Sequence, residues 1–361
     1  MRPVGIPQSV WGRIGRNLHL IPNHPVGIVS GLIHFSLGPS FQSLVFPDPV
    51  VTTKQAFDDL RVPKDHVLRS PSDTYYVGSK VLRPHATSHQ SEVLARLSGD
   101  SGAVWTCDVY RNDEVDRIHF PVFHQTDAVR LFDSSVSESE IIADLKKSLT
   151  QLVVSLGIPQ DSLRWDTTAY FPFTTPSLEL ELNSNGRWIE VLGCGRIHPS
   201  IHPNGWAFGI GLDRLAMLLF GIDDIRTLWS QDVRFLNQFE SGNITQFKPF
   251  SKYPPISRDT AFFLPSSHSF DVPAFVFSCM QRAGPSGLEQ VELVDVFETP
   301  KKISRCFRFV YRGIESTLTS GEANLIHEKE IIDYLKSEFQ AEIRYLFLSF
   351  LNIFLDGIQD W

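Results

Sequence analysis

Gln125 and Asp127 lie two residues apart in Val122 to Arg130, a stretch whose alternation reads as a β-strand, and period two puts them on one face with Phe123 and Val129. Left buried without partners, two such acceptors would cost about 1–3 kcal/mol each, so a cationic group such as an α-ammonium suits them; a solvated sheet face would carry the same residues. Arg111 ends the preceding strand and opens a loop with Asp113, Glu114, Asp116, Arg117 and His119, which holds a guanidinium fork at the mouth of that sheet. The fork fits a phosphate oxygen, although a surface salt-bridge cluster would use the same types. Arg214 falls in the first turn of a helix after the glycines of GIGLDR, Gly209 to Arg214, where backbone amides already favour an anion. That string lacks the third glycine of a dinucleotide fingerprint and follows antiparallel strands, so a Rossmann site is excluded, and close packing is the plainer use of its glycines. Phe171 and Phe173 flank Pro172 and would present both rings on one side, to build core or to line a slot for a planar ring. Cys194, His198 and His202 suggest zinc by spacing, but Pro199 and Pro203 forbid the uninterrupted helix that would align them, so no metal site is expected. GxSxG, HExxH and GxxxxGK[ST] strings are absent, leaving serine hydrolase, zincin and P-loop chemistry without support.

These side chains need a scaffold. Ala103 to Arg111 and Pro121 to Phe132 read as an antiparallel hairpin, and Ser137 to Leu156 as an amphipathic helix with Ile141, Ile142, Leu145, Leu149, Leu152 and Val153 as its stripe. Leu178 to Leu182 and Trp188 to Gly193 form a second hairpin around the turn Asn183 to Gly186. Gly205 to Gly211 is a strand running into a helix with Leu212, Leu215, Ala216 and Leu219 as its stripe. A largely antiparallel sheet with helices against it follows, an α+β arrangement. Periodicity lapses at 241–250, a linker. Beyond it come strand (Thr260 to Leu264), helix (Val272 to Ala283), strand (Val291 to Phe297), strand (Ser304 to Arg312) and helix (Gly321 to Phe339). Leu325, Ile332, Leu335 and Phe339 are that last helix's expected buried stripe. A strand at Ala341 to Leu346 would complete β-α-β-β-α-β, the ferredoxin-like order.

With 361 residues, 42% hydrophobic and 20% charged, the chain is globular and long enough for two domains. A net charge of −8 excludes nucleic-acid wrapping by bulk charge, so such binding needs a local patch. Lys301, Lys302, Arg305, Arg308 and Arg312, with no acid between Thr299 and Gly313, supply one that would hold phosphates; a solvated strand edge is the alternative. Four cysteines without a CxxC pair read as free thiols of a reducing compartment. The longest apolar run, Tyr345 to Leu355, falls short of the ~20 residues that span a bilayer, so no membrane partner is expected. Before Asp48 there is no acid, while Arg2, Arg13 and Arg16 come early, so residues 1–15 resemble an organelle transit segment.

The strings VYRNDEVDRIHFPVFHQTDAVRLF (Val109 to Phe132), YFPFTTPSLELEL (Tyr170 to Leu182), WIEVLGCG (Trp188 to Gly195) and GWAFGIGLDRLAMLLFGI (Gly205 to Ile222) resemble the single-chain organellar phenylalanyl-tRNA synthetases. The likeness runs from about Gly15 to Arg344. It implies a class II synthetase catalytic domain over 16–240 and a ferredoxin-like anticodon-binding domain over 251–344, leaving 345–361 as an atypical apolar tail. It further implies ATP and Mg²⁺, phenylalanine and tRNA(Phe) as ligands, a monomer, and a mitochondrial matrix or plastid setting.

Carried onto this chain, the resemblance gives Arg111 the α-phosphate and Arg214 the γ-phosphate, the two catalytic cations. Phe123 would lie against adenine, Asp113 and His119 would order around ATP, and Glu190 would neighbour the Mg²⁺–ATP complex. His85, Thr87, Gln90, Gln125 and Asp127 would ring the amino and carboxyl groups of phenylalanine, Phe171 and Phe173 would stack on its side chain, and Ala207 and Gly209 would leave room for the ring. The chain departs from the family at several places. HATSHQ (His85 to Gln90) stands for HTSxHQ, Asp127 for a glutamate, and Asp213 for a glutamate before Arg214. Ser30 to Pro47 carries no charged residue where the family has a charged amphipathic helix, which points to loss of that helix. A catalytically inactive tRNA-binding relative is the alternative function.

Overall fold

The computed structural model describes residues 6–344 except 114, 185, 231, 249–250, 252, 266–269, 271, 299–301 and 314–315. Lys301 and the 345–361 tail therefore lie outside the described residues. The chain divides into two units, Met1–Trp229 with Leu236–Lys248, and Ser230–Phe235 with Pro249–Trp361. The passage between them is thus not confined to 241–250, because residues 230–235 already belong to the second unit.

In the first unit the strands are β1 (Phe41–Leu44), β2 (Val50–Thr52), β3 (Tyr76–Val77), β4 (Lys80–Leu82), β5 (Gly102–Tyr110), β6 (Val122–Leu131), β7 (Leu163–Asp166), β8 (Thr174–Ser184), β9 (Arg187–Ile197) and β10 (Gly205–Gly211). Seven of them form one sheet, ordered β1-β5-β6-β10-β9-β8-β7, and β2-β4-β3 form a small one. In the large sheet only β1 with β5 is a parallel pairing; the rest are antiparallel. Even-numbered residues of β6, His124, Thr126 and Ala128, are buried on one face, where Thr126 and Ser30 both bond Thr106. Odd-numbered Phe123, Gln125, Asp127 and Val129 share the other, as the alternation requires.

The longer helices among the described residues of this unit are α1 (Pro25–Leu37), α2 (Glu138–Ser155) and α3 (Leu212–Phe220). Helix α2 opens with the Ser137–Glu140 capping box and buries Ile141, Leu145, Leu149, Leu152 and Val153. Helix α1 corrects the reading of Ser30 to Pro47: the helix is present without its charges. It starts on His24, whose Nδ1 accepts from the Val26 amide at 3.1 Å, with Pro25 at its first position. Buried Val26, Ile28, Val29, Ser30 and Ile33 leave no need for an amphipathic charge pattern.

Residues 6–15 pack onto this unit. Ile6 and Val10 are buried, and the Arg13 guanidinium lies 4.8 Å from the Phe120 ring centroid and 5.5 Å from that of Trp229. An arginine that resembled a targeting signal is thus engaged with aromatic faces of the same unit.

The second unit runs β11 (Ile256–Phe263), α4 (Val272–Ala283), β12 (Leu288–Glu298), β13 (Ile303–Tyr311), α5 (Ser320–His327), α6 (Asp333–Phe339) and β14 (Glu342–Arg344). Its antiparallel sheet is ordered β12-β13-β11-β14, and Phe262, Phe275, Phe307, Phe309 and Leu335 lie in its core. The expected helix Gly321 to Phe339 is broken by a π-helical turn at Glu328–Ile332. The extra residue rotates everything before it out of phase, so Leu325 is 72% exposed, while Ala323 and His327 take its place facing inward and Ile332 and Leu335 stay buried.

Candidate active site

The odd-numbered face of β6 continues across the sheet through residues directly in register. Asp127 pairs with Gly209 on β10, Gly209 with Gly193 on β9, and Gly193 with Glu179 on β8. A Cβ added at Gly209 would lie 2.9 Å from Asp127 Oδ1 and 3.2 Å from Gln125 Nε2. One added at Gly193 would lie 2.7 Å from the tip of the Phe171 ring. The two glycines therefore leave room for the Asp127 and Gln125 side chains over β10 and for the Phe171 ring over β9, the adjacent strand ~4.8 Å away. Phe171 stacks on Phe173 at 5.8 Å between centroids and 15° between planes, both rings half-buried, and its amide is fixed by Ser177 Oγ at 2.9 Å.

Asp127 is 3% exposed; its Oδ2 accepts from Thr87 Oγ1 at 2.7 Å, and its Oδ1 has no hydrogen-bond partner among the described residues. Burial drives this carboxyl up to about 7, although Thr87 and the Arg111 charge pull the other way. Gln125 Oε1 accepts from the Ala86 amide at 3.2 Å, while the Ala86 carbonyl accepts from Trp105 Nε1 at 2.9 Å. The segment His85 to Gln90 is thereby laid against the sheet. His85 is buried and pushed down to about 3, first by burial and then by Arg111, which keeps it neutral. Gln90 is buried with Nε2 unpartnered among the described residues. Ala207, beside Val129 and Gly195, is 6% exposed and packs in the apolar cluster with Trp105 and Val129.

What holds this segment was not legible from residue types. Arg83 is fully buried, donates from Nε to the Asp108 carbonyl at 2.8 Å and from one terminal nitrogen to the Phe46 and Asp48 carbonyls at 3.1 Å, and pairs with the Asp108 carboxylate. The same nitrogen lies 2.8 Å from His89 Nε2, and His89 stacks on Phe46, so this histidine braces the turn instead of facing a ligand. Burial alone would raise Asp108, but Arg83 and the Tyr110 hydroxyl outweigh it and hold the carboxyl below its usual range. Arg83→Met is expected to destabilise the first unit by about 3–5 kcal/mol, because it strands a buried carboxylate. A lowered urea midpoint for that unit's transition checks this; an unchanged midpoint refutes it.

Arg111 follows β5, its amide bonded to the Pro121 carbonyl at 3.0 Å. Its Nε donates to the Pro84 carbonyl at 2.9 Å, and its guanidinium sits 5.2 Å from the Phe123 ring centroid. Burial lowers this arginine, and the charges that act on it next are Asp113, Arg214, Glu190 and Asp127. Arg111 and Arg214 therefore lie near enough for their charges to act on each other. Arg214 is exposed and donates from Nε to the Ile118 carbonyl at 3.3 Å, meeting the loop that follows Arg111. In that loop Asp113 is exposed, and His119 Nδ1 lies 2.8 Å from Asp116 Oδ2. Glu190 is exposed on β9, where its charge together with burial raises Glu179.

The basic stretch of the second unit is not an open cluster. Lys302 pairs with Glu342 at 2.6 Å, Arg308 holds both oxygens of Asp259 at 2.8 and 2.7 Å, and Arg312 meets Glu289 at 2.8 Å. Arg305 lies over Phe270 at 4.9 Å. Acids from neighbouring strands, distant in sequence, neutralise much of the patch that its local sequence suggests.

Residues 31–239 match the family model of the tRNA synthetases class II core domain (F), and residues 251–344 that of the ferredoxin-fold anticodon binding domain. The chain is 42% identical over 363 residues to the chloroplastic/mitochondrial phenylalanine–tRNA ligase of Arabidopsis thaliana, covering 94% of this chain and 82% of that one. It is 37% identical over 409 residues to the mitochondrial enzyme of Dictyostelium discoideum, with 94% and 89% covered. To the mitochondrial enzyme of Mus musculus it is 37% identical over 375 residues, with 90% and 82% covered. With both family models matched and these relatives covered over most of their length, the chain belongs to the single-chain organellar phenylalanine–tRNA ligases.

Proposed function

We propose that the protein activates phenylalanine with ATP and transfers it to tRNA(Phe) as a monomer in mitochondria or plastids, the compartments named for its relatives. The observation that carries this reading is the alignment of Asp127, Gly209 and Gly193, which brings a buried carboxylate with an unpartnered oxygen and the Phe171 ring over adjacent strands, the chemistry of an amino acid with an ammonium at one end and an apolar ring at the other. In the first step the phenylalanine carboxylate attacks the α-phosphorus, the bond to the β-phosphate oxygen breaks, and pyrophosphate leaves. In the second, a terminal tRNA hydroxyl, the 2′ one in this family, attacks the adenylate carbonyl and AMP leaves. Negative charge grows on phosphoryl or carbonyl oxygen in both, so fixed cations and positioning do most of the catalysis. Arg111 holds the α-phosphate, Phe123 the adenine face and Arg214 the γ-phosphate, while Asp113 and His119 lie in the loop that closes around ATP. The neighbouring carboxylates Glu179 and Glu190 are hard oxygen donors that would hold Mg²⁺, which would supply neutralisation of phosphate charge when bound with ATP. Asp127, Thr87, Gln125, His85 and Gln90 take the amino and carboxyl groups, and Phe171 and Phe173 the side chain.

In the tRNA-binding unit, Lys302, Arg305, Arg308 and Arg312 are proposed to contact phosphates by exchanging their carboxylate or aromatic partners, which makes binding salt-sensitive. Exchange of labelled pyrophosphate into ATP, run with each amino acid, tests the reading. Exchange dependent on phenylalanine is expected; its absence from folded protein that still binds tRNA would assign the chain to the inactive tRNA-binding alternative.

A further inference from the structure

The β6–β10 ladder ends at the pair Gln125–Gly211, where the chain leaves the sheet and turns into α3. The next amide of β6, that of His124, therefore points toward β10 with no strand residue to receive it. Asp213 fills the place. It is 2% exposed, its Oδ2 accepts from the His124 amide at 2.6 Å, and its two oxygens lie 3.3 and 3.2 Å from His124 Nδ1. The N-cap, Gly211, offers no side-chain cap, so this carboxylate is a specific tie between the first turn of α3 and the strand. The residue next to it is Arg214, whose side chain donates to the Ile118 carbonyl at 3.3 Å. On the strand side, His124 stands between Phe123 and Gln125.

We propose that Asp213 is a positioning residue that registers the phosphate-holding Arg214 against the strand carrying the adenine-facing Phe123 and the amino-acid-facing Gln125. The inference rests on the functional reading above. Without the tie, the first turn of α3 is free to shift, the separation of Arg214 from Arg111 loosens, and the triphosphate end of ATP loses its second clamp. The amino-acid end of the site, built on the β6–β10 pairs at Asp127 and beyond, keeps its own register.

The test is steady-state pyrophosphate exchange on the full chain. Asp213→Ala is expected to raise KM for ATP by about 10- to 100-fold, the scale of a displacement near 1 Å, with KM for phenylalanine within twofold of wild type. Asp213→Asn keeps an oxygen for the His124 amide and is expected to restore KM for ATP to within threefold. In an Arg214→Ala background Asp213→Ala should add nothing further, because the effect passes through Arg214. Should Asp213→Ala not fold, Asp213→Ser, whose hydroxyl falls short of the His124 amide, carries the same measurements. A parallel rise of both KM values, an asparagine variant as impaired as alanine, or an undiminished effect without Arg214 would each overturn the inference while leaving the activity assigned. Absence of exchange in the wild type overturns the functional reading first, and this inference with it.

Discussion

Arg111→Ala is expected to lower phenylalanine-dependent pyrophosphate exchange by about 10²–10³-fold, mostly in kcat, while the protein melts as a folded chain. The guanidinium is fixed before any substrate arrives: Nε donates to the Pro84 carbonyl and the plane lies over Phe123. A donor held this way needs no reorganisation when charge builds on the α-phosphoryl oxygens, which is why its loss acts on the transition state more than on binding. Arg111→Lys is expected to recover little, since an ammonium cannot both hold the Pro84 carbonyl and present a planar fork. Single-turnover adenylate formation and steady-state exchange, measured together, check both variants; activity within fivefold of wild type in Arg111→Ala would remove this residue from the reaction.

Asp127→Asn is expected to raise KM for phenylalanine by about 30-fold or more, the scale of about 2–5 kcal/mol for removing one partner of a buried charge pair. The carboxylate is the group with an unpartnered buried oxygen beside Gly209, so it gains most when an ammonium arrives. Its upward displacement to about 7, caused first by burial, adds a pH signature. Below about pH 7 the free protein holds Asp127 protonated, and an ammonium must expel that proton to bind. kcat/KM for phenylalanine is therefore expected to fall about tenfold per pH unit below that point, and Asp127→Asn to lack this limb. The linkage to stability has the opposite sense: with the folded value above the ordinary 3.8, the contribution is fully present below about pH 4 and lost as pH rises through about 7. At pH 8 the asparagine variant should melt higher than wild type. A wild-type profile flat from pH 6 to 8 would contradict the assignment of Asp127 as the ammonium's partner.

Much of the site was readable because strand geometry has an integer period. Phe123, Gln125 and Asp127 fall on one face from alternation alone, and the glycines of β9 and β10 mark where something must approach the sheet closely. The capping boxes at Ser137 and Thr319 fix helix starts by local hydrogen bonds that do not depend on the rest of the fold. Register across strands is different. That Gly193 would lie between Gly209 and Glu179, putting the Phe171 ring over the strand next to the one that the Asp127 side chain covers, depends on pairings between distant segments.

Other features were decided only when distant segments met. The Ser30 to Pro47 stretch looked stripped of its helix because charge was taken as the helix signature, yet α1 is covered on enough sides to need none. Leu325 turned outward through one extra residue in a π turn that no side-chain pattern announces. Arg308 and Arg312 looked like free cations until Asp259 and Glu289 arrived from other strands. Composition and short-range periodicity determined the two-domain α+β plan, the elements and the facing set on β6, since these follow from forces acting within a few residues. Tertiary structure decided which charges are neutralised, that Arg83 and Asp213 brace the site, and over which strands its two ends lie, because desolvation and Coulomb energies depend on neighbours in space and not on neighbours in the chain.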